Sequence, residues 1–258
     1  MSGSAVALLA ACASGRARVR RTTPLTATQT SSSPTTSPPA TVDDTASTVP
    51  SPSPVVTGPA IYVGRGSALS VGVALTFHTA GDPAIVEDIL DQARRLDARL
   101  TFFLVGDWAA AHPGVVEQVL AAGHDLGNHT WSHIDLAALD ASEMYDEIQR
   151  CATVLRAQTG SIGKWFRPSQ IDVPTAAILE QAGRVGYTTS VGYDVDPLDY
   201  TNPGALVVEQ RVRASLHPGA IVSLHTLYPG TAAAFGPIVT AIRAQGLEPV
   251  ATTAVLGH

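Results

Sequence analysis

From Ile61 onward the chain alternates short apolar runs with amphipathic stretches of helical length. Few folds accept that pattern. Val71 to Phe77 (VGVALTF) is almost continuously apolar, as a strand covered on both faces must be. Pro83 to Leu96 then places Ile85, Ile89, Leu90 and Ala93 on one helical stripe. The same reading gives strands over 100–105, 125–128, 165–167, 187–193, 220–224 and 248–252. Between them lie helices over 108–122 (broken near Pro113), 142–158, 175–184, 205–216 and 232–244. Seven strands alternating with helices predict a parallel α/β sheet. This many units in one domain favour closure into a (β/α)7 TIM-like barrel. A doubly wound open sheet is the alternative, but no Gly-rich phosphate loop follows the first strand.

The barrel accounts for residues 61–258. Residues 22–60 are nearly all Ser, Thr, Pro, Ala and Val, without an aromatic, and cannot bury enough apolar surface to offset chain ordering. They read as a disordered tether, able to reach roughly 100 Å at ~3.1 Å per residue. Upstream, within 1–21, a short apolar run ends at Leu9-Ala10-Ala11-Cys12, which resembles a bacterial lipobox. The expectation is an exported chain in the cell envelope, lipid-anchored through Cys12 or secreted. Beyond residue 60 there are 12 basic against 20 acidic residues, a net of −8. So acidic a body is a poor grip for nucleic acid or anionic lipid. A monomer is expected, with Cys151 too unlike Cys12 in setting to build a disulfide framework.

In such barrels the working site lies at the carboxyl ends of the strands. Those ends carry His78 and Asp82, then His129 and His133, then Arg167, the Asp194/Asp196/Asp199 group, and His225. The opposite ends offer mainly Gly, Pro and Ala. Two imidazoles spaced i and i+4 share a helical face and can reach one ion. A zinc protease would need Glu directly after His129, where this chain has Thr130. Two His plus a carboxylate would leave an open position for bound water. His112, His124, His217 and His258 read as structural, Trp131 as packing, and Asp194 as a turn cap before Pro197.

The same residues carry a resemblance. Leu75-Thr76-Phe77 with His78 to Asp82, then His129-Thr130-Trp131-Ser132-His133, Phe166-Arg167-Pro168, Tyr193 to Tyr200 and Ile221 to His225 form five signatures in order. Together they resemble the polysaccharide deacetylases of the NodB-homology type, carbohydrate esterase family 4. The resemblance implies a distorted barrel of seven or eight strands. It also implies a divalent cation, expected to be zinc, and removal of acetyl groups from N-acetylated sugars of a peptidoglycan-like or chitin-like polysaccharide. His129 and His133 match the metal-binding histidines, and His225 the general acid, oriented by Asp199 or Asp196. Arg167 matches the arginine that steadies the base.

The first signature departs from the family's Thr-Phe-Asp-Asp-Gly, reading Thr76-Phe77-His78-Thr79-Ala80-Gly81-Asp82. One assignment folds Asp82 back onto the metal and makes neutral His78 the base. The reverse puts three imidazoles on the metal and makes Asp82 the base. Ser169, Tyr200 and Ser223 are expected to line the sugar and acyl pocket, Ser223 sharing a strand face with His225. The rival functions are an O-acetyl esterase on xylan-like polymers and a carbohydrate-binding pseudoenzyme, the latter because the Asp pair is missing.

Overall fold

The computed structural model describes residues 58–257. The segment expected to direct export, Cys12, the tether through residue 57 and His258 lie outside the described residues. Eight strands form one parallel sheet: β1 (Ile61–Val63), β2 (Gly72–Thr79), β3 (Thr101–Leu104), β4 (Asp125–Asn128), β5 (Trp165–Phe166), β6 (Thr189–Val191), β7 (Ile221–His225) and β8 (Glu248–Val250). Their order is β1-β6-β5-β4-β3-β2-β7, with β8 paired to the start of β2. The ring is drawn shut where Val195, beyond β6, bridges Val222 of β7, and the Ser223 N–H donates to the Val195 carbonyl. The result is the expected distorted α/β barrel.

Side-chain parity along β2 explains why it closes. Val73, Leu75 and Phe77 face the main apolar core, where they pack with Ile89 of α1 (Pro83–Arg95) and Phe235 of α7 (Pro229–Ala244). The intervening Ala74 packs instead with Phe103, Trp165, Val191 and Ile221, strand residues that fill the barrel interior. Both faces of β2 are therefore dry, and each large apolar side chain buried there contributes ~1.5–3 kcal/mol. The interior is filled tightly enough that a Cβ on Gly127 would lie 2.6 Å from the Phe103 ring.

The remaining helices are α2 (Gly106–Ala111), α3 (Pro113–Ala121), α4 (Ala141–Thr159), α5 (Ala176–Val185), α6 (Ala205–Ser215) and α8 (Thr252–Leu256). The break at Pro113 falls where its missing N–H demands. Asp140 and Glu143 form a reciprocal capping box on α4, and Gly160 ends that helix at φ 76°.

Three details differ from expectation. β1 is an additional strand, too short and too exposed for its alternation to register, held by pairing with β6. Ala60 is already buried and bonds Leu179 through its N–H, so the folded part starts before Ile61. The last strand stops at Val250, and Thr252 opens α8 with its hydroxyl and N–H tied to Thr101.

Candidate active site

β2 and β7 run in register, so Thr76 lies opposite Ser223 and His78 opposite His225. Because parity sends all four inward, two imidazoles meet above two hydroxyls at the carboxyl end of the barrel. The His78 ring centre is 4.4 Å from that of His225 and 4.4 Å from that of His129, at the end of β4. His133 follows, 4.9 Å from His129. Ligand-capable atoms of His78, His129 and His133 all lie within 4.8 Å of one another.

His129 and His133 do not share a helical face. The segment between them is a loop with Thr130 at φ 65° and His133 at φ 58°, conformations that disfavour side chains bearing a Cβ. Several fixed partners hold it. The Asn128 carboxamide accepts the Thr130 N–H and donates to the Ile148 carbonyl and the Tyr187 hydroxyl. The buried Glu147 carboxylate, projecting from α4, accepts from the Trp131 N–H, the Ser132 N–H and the Ser132 hydroxyl at 2.9–3.0 Å. Trp131 packs beneath the Arg150 guanidinium, 4.2 Å away. Glu147 is a site residue the sequence reading missed. Its signal was an acid on the buried stripe of α4, between Met144 and Ile148.

His129 is fully buried, with Nδ1 2.9 Å from the Arg167 carbonyl. A carbonyl only accepts, so Nδ1 carries the proton and Nε2 holds a lone pair. That Nε2 is sealed from solvent and has no protein partner. An orphaned, pre-oriented lone pair facing two more imidazoles fits a divalent cation, and the backbone carbonyl behind it is the usual support for a ligand histidine. Burial and the neighbouring charge of His133 hold His129 well below the ordinary imidazole range, which keeps the lone pair free.

Beneath the histidines, Arg167 is 1% exposed and each of its three nitrogens donates. Nε reaches the Val191 carbonyl and Nη2 the Gly192 carbonyl, both at 2.8 Å. Nη1 bonds Thr76 Oγ1 at 2.8 Å and His78 Nε2 at 3.0 Å. Arg167 therefore contacts His78, the residue near the end of the first signature's strand.

On the other wall Asp199, 1% exposed, accepts from His225 Nδ1 at 2.8 Å, the His225 N–H at 2.8 Å and the Thr231 hydroxyl at 2.7 Å. Tyr200 stands edge-on to the His225 ring at 5.3 Å and is 44% exposed. His225 Nδ1 pairs with Asp199 and not with Asp196. Asp196 accepts the Leu198 N–H and lines the cleft, its carboxyl raised by burial. The cleft has a volume of about 410 Å³ and is walled by Ile171, Asp172, Tyr193, Asp196, Tyr200 and Leu227.

Three expected placements are corrected. Asp82 does not fold back: it is exposed at the start of α1, where its carboxylate accepts the Ala84 N–H as the helix cap. A following Pro83 at the first helical position commits it to that role. Ser169 is fully buried and bridges the Thr130 hydroxyl and the Ile134 carbonyl, so it supports the histidine loop and does not line the pocket. Ser223 lies deeper, 3.2 Å from His78 Nε2. Asp194 accepts the Ile221 N–H at the start of β7 and lies 3.1 Å from His217 Nε2, so it ties the chain beyond β6 to β7 where a cap on the turn before Pro197 was expected.

Fold and cleft together define a parallel α/β barrel with an imidazole-rich site at the carboxyl ends of its strands. Residues 69–190 match the family described as polysaccharide deacetylase. A chitooligosaccharide deacetylase of Bradyrhizobium sp. (strain ANU 289) is 31% identical over 157 residues, covering 61% of this chain and 71% of that protein. The chain belongs to the polysaccharide deacetylase family. A peptidoglycan-N-acetylglucosamine deacetylase of Listeria monocytogenes is 29% identical over 72% of this chain, which spans only 39% of that protein's length. Among solved structures, the Bc1960 peptidoglycan N-acetylglucosamine deacetylase superposes with TM-score 0.71 at 26% identity, covering 76% of this chain and 92% of that one. A family 4 carbohydrate esterase pseudoenzyme from Bacillus anthracis superposes with TM-score 0.69 at 27% identity, covering 76% and 68%.

Proposed function

We propose that this chain removes acetyl groups from N-acetylated sugars of an envelope polysaccharide. The observation that carries the proposal is the convergence of three imidazoles with a His225–Asp199 pair in one cleft. His129 Nε2 and His133 would hold a divalent cation, zinc by the nitrogen character of the donors, and that ion would polarise the acetyl carbonyl. As a water oxygen bonds the acetyl carbon and the C–N bond breaks, His225 would donate from Nε2 to the departing amine nitrogen and recover a proton from that water. Asp199 fixes the other ring proton on Nδ1, so only Nε2 exchanges with substrate. Tyr200 offers an exposed ring face beside His225 for a sugar. The names of the relatives support N-acetylglucosamine as the substrate unit. An envelope polymer would also suit a chain anchored at Cys12.

The test is acetate release from N-acetylglucosamine oligomers by zinc-loaded protein. Release that disappears on chelation and in His129→Ala supports the reading, while no release at full zinc occupancy overturns it. One observation favours a second reading, sugar binding without turnover. The end of β2 presents no carboxylate, and Thr79 is buried with its hydroxyl on the Phe77 carbonyl. Oligomer binding without acetate release would establish that alternative.

A further inference from the structure

Arg167 determines which nitrogen of His78 can hold a proton. A guanidinium has five N–H donors and no lone pair, so the imidazole nitrogen 3.0 Å from Arg167 Nη1 must accept. Nη1 has two hydrogens, and the acceptors beside it are two: Thr76 Oγ1 and His78 Nε2. An imidazolium would set N–H against N–H at this contact, so the ring is neutral and its single proton sits on Nδ1. The Ser223 hydroxyl, 3.2 Å away, also faces Nε2. Among the described residues Nδ1 has no protein partner, yet it is not among the sealed, orphaned atoms. His78 lines the cleft, so Nδ1 opens onto it.

We infer that His78 is a fixed hydrogen-bond donor to the cleft, built for an acceptor oxygen of the carboxylate class, and neither a base nor a cation ligand. The lone pair a base or a ligand would need is committed to Arg167. The oxygen Nδ1–H meets, resting here on the deacetylase reading, is that of an acetyl group or of the acetate it becomes.

Imidazole nitrogen NMR of the metal-free protein, with His78 assigned by its loss in His78→Asn, tests the tautomer directly. The expected spectrum shows a protonated Nδ1 and a bare Nε2, and a proton on Nε2 overturns the inference. Zinc is expected to shift the His129 signals and leave both His78 nitrogens where they were. A metal-bound shift at His78 overturns it. If no imidazole responds to zinc, the cation reading fails while the metal-free spectrum still decides the tautomer.

The donor role is tested with acetate as probe in an isosteric pair. In His78→Asn the amide oxygen can accept from Arg167 while the NH₂ faces the cleft, so acetate binding stays close to wild type. In His78→Asp both outer atoms are acceptors, and affinity falls about tenfold or more, the worth of one charge-assisted hydrogen bond. Equal acetate affinity in the two variants overturns the donor role.

Discussion

At the scale of single residues, the site is a set of tautomers chosen by neighbours. The Arg167 carbonyl puts the His129 proton on Nδ1, and Asp199 does the same for His225. Asp199, 1% exposed, accepts three hydrogen bonds. An Asn there keeps one oxygen and turns an amide donor on at least one donor. Asp199→Asn should therefore lower kcat for acetate release by roughly 10²–10⁴-fold, the range for a disabled acid–base group. Steady-state kinetics beside a circular dichroism check of folding measures it. Family position is what singled out His129, His133, Arg167 and His225 in the sequence, and the fold brings all four to one end of the barrel. Asp82 could not be settled by sequence. A carboxylate four residues after His78 can fold back or cap the next helix, and the following Pro83 favours the cap.

At the scale of elements, the histidine loop depends on α4. Two left-handed residues in five make the loop costly by itself, and Glu147 offsets that cost with three hydrogen bonds. Glu147→Ala should weaken zinc binding by about 10–100-fold, as for other partners that orient a ligand without touching the ion. Competition against a colorimetric chelator reads that change. Affinity equal to wild type would show the loop holds its shape unaided. In β4, Gly127 has Phe103 and the Trp165 carbonyl at 2.6 and 3.0 Å from where a Cβ would go. Gly127→Ala should cost about 1–3 kcal/mol by overpacking, seen as a lower urea midpoint. The helices were readable from caps and stripes, which are local. β1 was not, because three half-exposed residues have no pattern until β6 pairs with them.

At the scale of the whole molecule, acid should loosen the barrel through its buried histidines. His124, 6% exposed beneath the β3–β4 edge, is depressed to about 4 by burial and then by the Arg99 charge, partly offset by Asp125. Its folded pKa lies below the unfolded one, so the unfolded chain takes up the proton first as pH falls. The stability it supports is intact above about 6.5 and declines toward about 4, by on the order of 3 kcal/mol. Urea melts across that window should show a steeper acid loss in wild type than in His124→Gln, and identical slopes would remove His124 as the cause. The sequence alone determined the alternation of strands and helices, the strand face shared by Ser223 and His225, and the chemistry gathered at the strand ends. Those are properties of neighbours along the chain, fixed by the periods of strand and helix. Only the tertiary structure decided that His78 faces His225 in register, that Glu147 reaches the loop, and that Arg167 takes the His78 lone pair. Each joins groups 15 to 147 positions apart, and ring closure, which no local period encodes, sets those distances.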